Sequence, residues 1–86
     1  MHSSEDIRRH VLARISSHSG MAADKIDDAS DFIAEGLLDS FGALTMIVSL
    51  EATFGVRFDP IELADESART VGGLVNLVAQ KQQEQQ

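Results

Sequence analysis

Ser40 is the residue whose type and placement most suggest chemistry. It lies in the run Gly36-Leu37-Leu38-Asp39-Ser40-Phe41-Gly42, where the strongest helical pattern of the chain begins. A hydroxyl in the first turn of a helix sits near free backbone N–H groups and the positive end of the helix dipole. That is a seat suited to a phosphate ester. On spacing alone, Asp39 or Ser40 also reads as an ordinary N-cap. Hydrolase chemistry is disfavoured, because a nucleophile elbow needs Gly two residues before the serine and Leu38 is there. His2, His10 and His18 all fall in or before the first helical segment, and His10 and His18 lie near its exposed side as solvated imidazoles. No triad base is therefore positioned. Acids of the preceding segment partly match a calcium loop starting at Asp24, with Asp28, Ser30 and Glu35 in register. The match fails at Ile26 and at Ala29, where the sharp turn needs Gly, so no metal site is expected.

The elements that must position Ser40 follow from periodicity. Ile7, Val11, Leu12 and Ile15 have helical spacing, with Ser3 or Ser4 as cap, Glu5 and Asp6 in the first turn and Gly20 as stop. From Met21 to Asp39 no helical period is sustained. Ile26 and Phe32 are expected to pin this long loop to the core, and a loop of this length is often functional. A second helix runs from Ser40 to Phe54 and stops at Gly55. Ala43, Met46, Ile47, Leu50 and Phe54 share its core face, while Phe41, Leu44 and Val48 form a second apolar stripe. A chain this short rarely buries one helix all round, so the second stripe is expected to be exposed for a partner. The positions Gly42, Thr45, Ser49, Ala52 and Thr53 also read as exposed. Asp59 and Pro60 start a short third helix through Ile61 and Leu63. Thr70 caps a last helix carrying Val71, Leu74, Val75 and Val78, whose start Gly72 and Gly73 weaken. The expected architecture is an all-α four-helix bundle with a short third helix and a long loop between helices 1 and 2. Its domain spans residues 1–79, and residues 80–86 form a polar C-terminal tail, helical at first and frayed at the end.

Composition narrows the function. The chain has 86 residues, 14 acidic and 7 basic, for a net charge of −7. One small domain is expected. The acidic balance argues against duplex nucleic acid as a partner. Absence of cysteine excludes disulfides, cysteine-based zinc sites and thiol catalysis by the chain itself. No apolar run approaches the roughly 18–20 residues of a membrane span, so no membrane insertion is expected. The N-terminus lacks the basic-then-apolar order of a signal peptide, which makes a cytoplasmic monomer the expectation. Six of the acids (Asp24, Asp27, Asp28, Asp31, Glu35 and Asp39) lie in the loop leading to Ser40, whereas Glu51 is the only acid of the helix after it. This unevenness suggests a basic partner surface approaching the loop side.

Around Ser40 the sequence resembles the acyl carrier and peptidyl carrier protein family. Asp39-Ser40-Phe41 is similar to the family's Asp-Ser-hydrophobic motif. Phe32 stands eight residues before Ser40, as the family's loop aromatic does, and Leu50-Glu51-Ala52-Thr53-Phe54-Gly55-Val56 resembles the end of its second helix. Thr70-Val71 resembles the start of its last helix, and the likeness extends from about Ile7 to Val78. The placement of Gly36, before Leu37-Leu38-Asp39-Ser40, resembles free-standing carriers such as D-alanyl carrier proteins. Fatty-acid carriers of the family have an acidic second helix, which this chain lacks.

The resemblance implies a protein that is not an enzyme. Ser40 would receive 4′-phosphopantetheine from coenzyme A through a separate, magnesium-dependent phosphopantetheinyl transferase, with Asp39 part of the attachment site. The thiol of the arm would hold an acyl or aminoacyl group as a thioester. An adenylating ligase or acyltransferase would load it and a downstream acceptor enzyme would unload it, the expected docking residues being Leu38, Phe41, Leu44 and Val48. A discrete carrier in a specialised biosynthetic pathway is the first expectation and a polyketide or fatty-acid type carrier the second. An unmodified helical interaction module is the reading from a different class.

Overall fold

In the computed structural model, which describes residues 3–84, α1 spans Ser4–Ser19, α2 Ser40–Phe54, α3 Pro60–Leu63 and α4 Val71–Glu84. Short 3-10 turns at Ala23–Lys25 and Glu66–Arg69 complete the described residues. The all-α bundle expected from periodicity is the architecture found. The ends of the chain, including His2 and the last two residues of the expected tail, lie outside the described residues.

Capping decides where each helix begins. Ser3, not Ser4, caps α1. Its hydroxyl accepts from the Asp6 N–H at 3.1 Å, and the Asp6 carboxylate accepts from the Ser3 N–H in return. Gly20 ends the helix at φ 82°, a left-handed conformation that favours glycine. Asp59 and Glu62 form the same reciprocal box around Pro60 in α3. The start of α4 is held differently. Its Val71 and Gly72 N–H groups donate to the loop carbonyls of Ser30 and Asp28, at 3.3 and 2.9 Å, and its Gly73 N–H donates to the Thr70 hydroxyl at 3.1 Å. The long loop is thereby stitched to α4, and Phe32 N–H donating to Arg69 carbonyl at 2.9 Å adds another tie.

The core is one cluster. α1 contributes Ile7, Val11 and Ile15, α2 Met46, Leu50 and Phe54, and α4 Val71, Leu74, Val75 and Val78. The loop adds Ile26 and Phe32, as expected, and also Leu37 and Leu38. Ile47 packs on the edge of the cluster. Gly73 has a packing role beyond weakening a helix start. A Cβ built there would lie 1.9 Å from the Ser67 carbonyl oxygen, so only glycine admits the close approach of the second 3-10 turn.

Three expectations are corrected. His10 is not solvated: it is half-buried, its Nε2 lies 2.8 Å from Ser49 Oγ, and its ring meets Phe54 edge-on at 5.4 Å. Ser49 and Gly42 are accordingly not exposed, because α1 packs over them. From Gln80 the chain continues as helix to Glu84, as expected, and Lys81 and Gln82 are buried, because hydrogen-bond and ion-pair partners await both side chains.

Candidate functional site at the start of α2

Ser40 is the first residue of α2 and is exposed. Asp39 is the N-cap, and its Oδ1 accepts from the Gly42 N–H at 2.6 Å. The Asp39 carbonyl accepts from the Ala43 N–H at 2.9 Å, so the motif starts the helix with both its side chain and its backbone. No hydrogen bond engages the Ser40 hydroxyl among the described residues, which leaves it open to modification.

His18 approaches from the end of α1, with Nε2 3.7 Å from Asp39 Oδ1. Its ring lies over Gly42, where an added Cβ would stand 3.0 Å from the imidazole Cε1. Among the described residues no hydrogen bond links His18 to the Ser40 hydroxyl. Sequence reasoning missed this neighbour. The available signal was Gly42 itself, a poor helix former placed in the first turn of an otherwise strong helix.

Two grooves flank the site. Between α1 and α2 a polar groove of about 260 Å³ is lined by Arg14, Ser17, His18, Leu38, Gly42 and Thr45. Between α2 and α3 an apolar groove of about 250 Å³ is lined by Phe32, Ile33, Ser40, Ala43, Leu44, Met46, Ile47 and Leu63, with Ala68 and Arg69 at its end. Ser40 thus opens directly onto the apolar groove.

The side chains expected to dock a partner divide. Phe41, Leu44 and Val48 are 71, 60 and 55 % exposed, so the second stripe of α2 faces solvent. Leu38 is instead 3 % exposed and belongs to the core; its side chain is not available to a partner. The loop acids divide as well. Asp28 is ion-paired with Arg8, Asp31 Oδ1 accepts from the Ile33 and Ala34 N–H groups at 3.1 and 2.9 Å, and Asp39 caps α2. Half of the acids that suggested an electrostatic docking face therefore hold the loop and helix in place.

The arrangement fits a long covalent arm on Ser40. The hydroxyl is exposed and free, the helix N-terminus favours a phosphate beside it, and the apolar groove offers room for an attached group. Among the described residues no cluster of three or more potential ligands could hold a metal ion, and no helix is long and apolar enough to cross a membrane.

Comparison with known proteins agrees with this geometry. The family model for the phosphopantetheine attachment site matches residues 9–78. An acyl carrier protein of Arthrobacter sp. (strain FB24) is 28% identical over 82 residues, covering 95% of this chain and 99% of the relative. The D-alanyl carrier protein of Lactococcus lactis subsp. lactis (strain IL1403) is 30% identical over 78 residues, covering 91% and 99%. An acyl carrier protein of Sinorhizobium fredii (strain NBRC 101917 / NGR234) is 31% identical over 77 residues, covering 90% and 96%.

Proposed function

The chain belongs to the phosphopantetheine-attachment family and is a carrier of that cofactor, and from this premise we propose that Ser40 is the attachment residue of a discrete carrier protein. The observation that carries the proposal is the free, exposed Ser40 hydroxyl at the first position of α2, opening onto an apolar groove. Phosphopantetheine supplies the thiol that the cysteine-free chain lacks, and a thioester on that thiol holds the cargo.

The chain's own residues hold and present. Asp39 fixes the first turn of α2 and so sets the direction of the Ser40 Oγ. Phe41, Leu44 and Val48 offer an apolar strip beside Ser40 that loading and unloading enzymes grip in turn. In this reading the protein is a substrate passed between enzymes and not an enzyme itself, as carriers of the family are. Its partners are a phosphopantetheinyl transferase, an adenylating ligase or acyltransferase, and an acceptor enzyme. The cargo is an activated amino acid or small carboxylate of a specialised pathway.

Intact mass after incubation with coenzyme A and a phosphopantetheinyl transferase tests the attachment. A single mass gain that disappears in Ser40→Ala is the expected result; no gain, or a gain that survives the substitution, overturns it. A fatty-acid or polyketide type carrier is the second reading, favoured by the names of the acyl carrier relatives. Loading by an adenylating enzyme with amino acid and ATP supports the first reading, and loading only from malonyl-coenzyme A supports the second.

A further inference from the structure

α3 forms one wall of the apolar groove through Leu63, yet none of its four residues is buried. Ile61, its large apolar side chain, is 84 % exposed. Hydrophobic burial therefore does little to hold this wall in place.

A polar clamp from the last helix holds it instead. Lys81 of α4 is 5 % exposed, and its ammonium reaches Glu62 Oε1 of α3 at 2.5 Å. The same oxygen accepts from the Asp59 N–H at 2.8 Å, so the ion pair and the helix cap share one atom. Lys81 Nζ also stands 5.6 Å from the centre of the Phe58 ring, in the linker before α3. The next residue, Gln82, donates from Nε2 to the Phe54 carbonyl at the end of α2, at 3.4 Å. Two consecutive residues of α4 thus reach both helices beside the groove, Lys81 the α3 wall and Gln82 the end of α2 beyond the groove. A buried ammonium needs such partners, and removing one partner of a buried pair is strongly unfavourable.

We infer that Lys81 is a positioning residue that sets the width of the groove beside Ser40, and with it the size of cargo the groove shelters. The cargo half of this inference rests on the carrier reading above, whereas the mechanical half does not. Lys81 is not among the residues lining the groove; it acts through Glu62, next to the lining residue Leu63.

The test uses Lys81→Met, which keeps the apolar stem, and Glu62→Gln, which keeps the oxygen that caps α3 and alters only a half-buried side chain. Backbone 15N order parameters of the apo chain are measured first. Residues 61–64 are expected to fall from about 0.85, typical of rigid backbone, to under 0.6, typical of flexible backbone, in both variants, with residues 7–15 unchanged. No change at residues 61–64, or an equal fall in α1, overturns the clamp. Uncatalysed hydrolysis of acetyl and hexanoyl thioesters is then compared on the holo chain. Hexanoyl is expected to hydrolyse more slowly than acetyl in the wild type, and the ratio is expected to approach one in Lys81→Met. A ratio already at one in the wild type, or unchanged in the variant, overturns the effect on cargo. Failure of the chain to gain mass from coenzyme A instead marks failure of the carrier reading, and the order parameters then decide the clamp alone.

Discussion

α1 meets α4 through Ile7, Val11 and Ile15 on one side and Val71, Leu74, Val75 and Val78 on the other, all fully buried. α3, capped by its own Asp59 and Glu62, meets the rest of the molecule through the second 3-10 turn, one ion pair and a half-buried leucine. The first contact is apolar, extended and indifferent to pH. The second is polar, local and titratable. Both stand close to α2, so the helix that begins at Ser40 has a firm neighbour and an adjustable one.

The largest expected contrast comes from truncating an isoleucine on each side. Ile15→Ala removes core volume that the tight packing cannot refill and should destabilise by about 2–5 kcal/mol. Ile61→Ala should stay within roughly 0.5 kcal/mol, as for most surface changes. Urea unfolding of both variants measures the difference, and similar midpoints would erase the distinction between the two regions.

Gly73→Ala probes the junction between them. In an open helix this change gains up to about 1 kcal/mol. Here the new Cβ would strike the Ser67 carbonyl oxygen, so the sign reverses and the loss should reach the upper part of the roughly 1–3 kcal/mol seen for overpacking. A melting temperature at or above that of the wild type would show that the second 3-10 turn yields freely.

Leu44→Glu and Val48→Glu extend the comparison to the outward face of α2. Each should keep the helical circular dichroism signal and change stability by less than roughly 0.5 kcal/mol, while loading by a partner enzyme falls. Loss of the helical signal would place the stripe in the core.

Acid should separate the regions with the smallest effect. The Glu62 carboxyl is held below its ordinary pKa by the Asp59 N–H and by Lys81. Its stabilisation is complete above the unfolded-state pKa and is lost as pH falls through the depressed folded-state value. α3 resonances should therefore move toward random-coil positions at the acid end of a titration, before those of the α1–α4 contact. His10 gives an earlier step. Burial, assisted by Arg14, lowers its pKa, so the α1–α2 contact weakens as pH falls from the ordinary histidine value through the depressed one. NMR titration of Leu63, Ser49 and Ile15 amides reads all three regions together; simultaneous loss would mean that they unfold as one unit.

Much of this was legible from local patterns. The core faces of α1, α2 and α4, the outward stripe at Phe41, Leu44 and Val48, and the stop at Gly55 all follow from a period of 3.6 residues and from glycine's tolerance of left-handed backbone. The Asp39 cap followed from its side-chain chemistry. Residues whose surroundings come from distant segments were misread. Leu38 looked like a neighbour of the exposed stripe, but the preceding loop turns it inward through its N–H bond to the Phe32 carbonyl. His10 looked solvated because its own helix leaves it off the core face, and the α2 residues Ser49 and Phe54 bury it.

Local chemistry alone specifies four helical segments, their caps, and a serine placed at a helix start, where the dipole favours a phosphate ester. These depend on neighbours within a turn of the chain. The two grooves beside Ser40, the burial of Leu38, the contact of His18 with Gly42 and the reach of Lys81 to Glu62 depend on how the helices meet. A polar side chain becomes a buried clamp only when a partner from another element arrives to satisfy it. Lys81 and Gln82 therefore read as part of a polar tail along the chain and are buried against α3 and the end of α2 in the folded molecule.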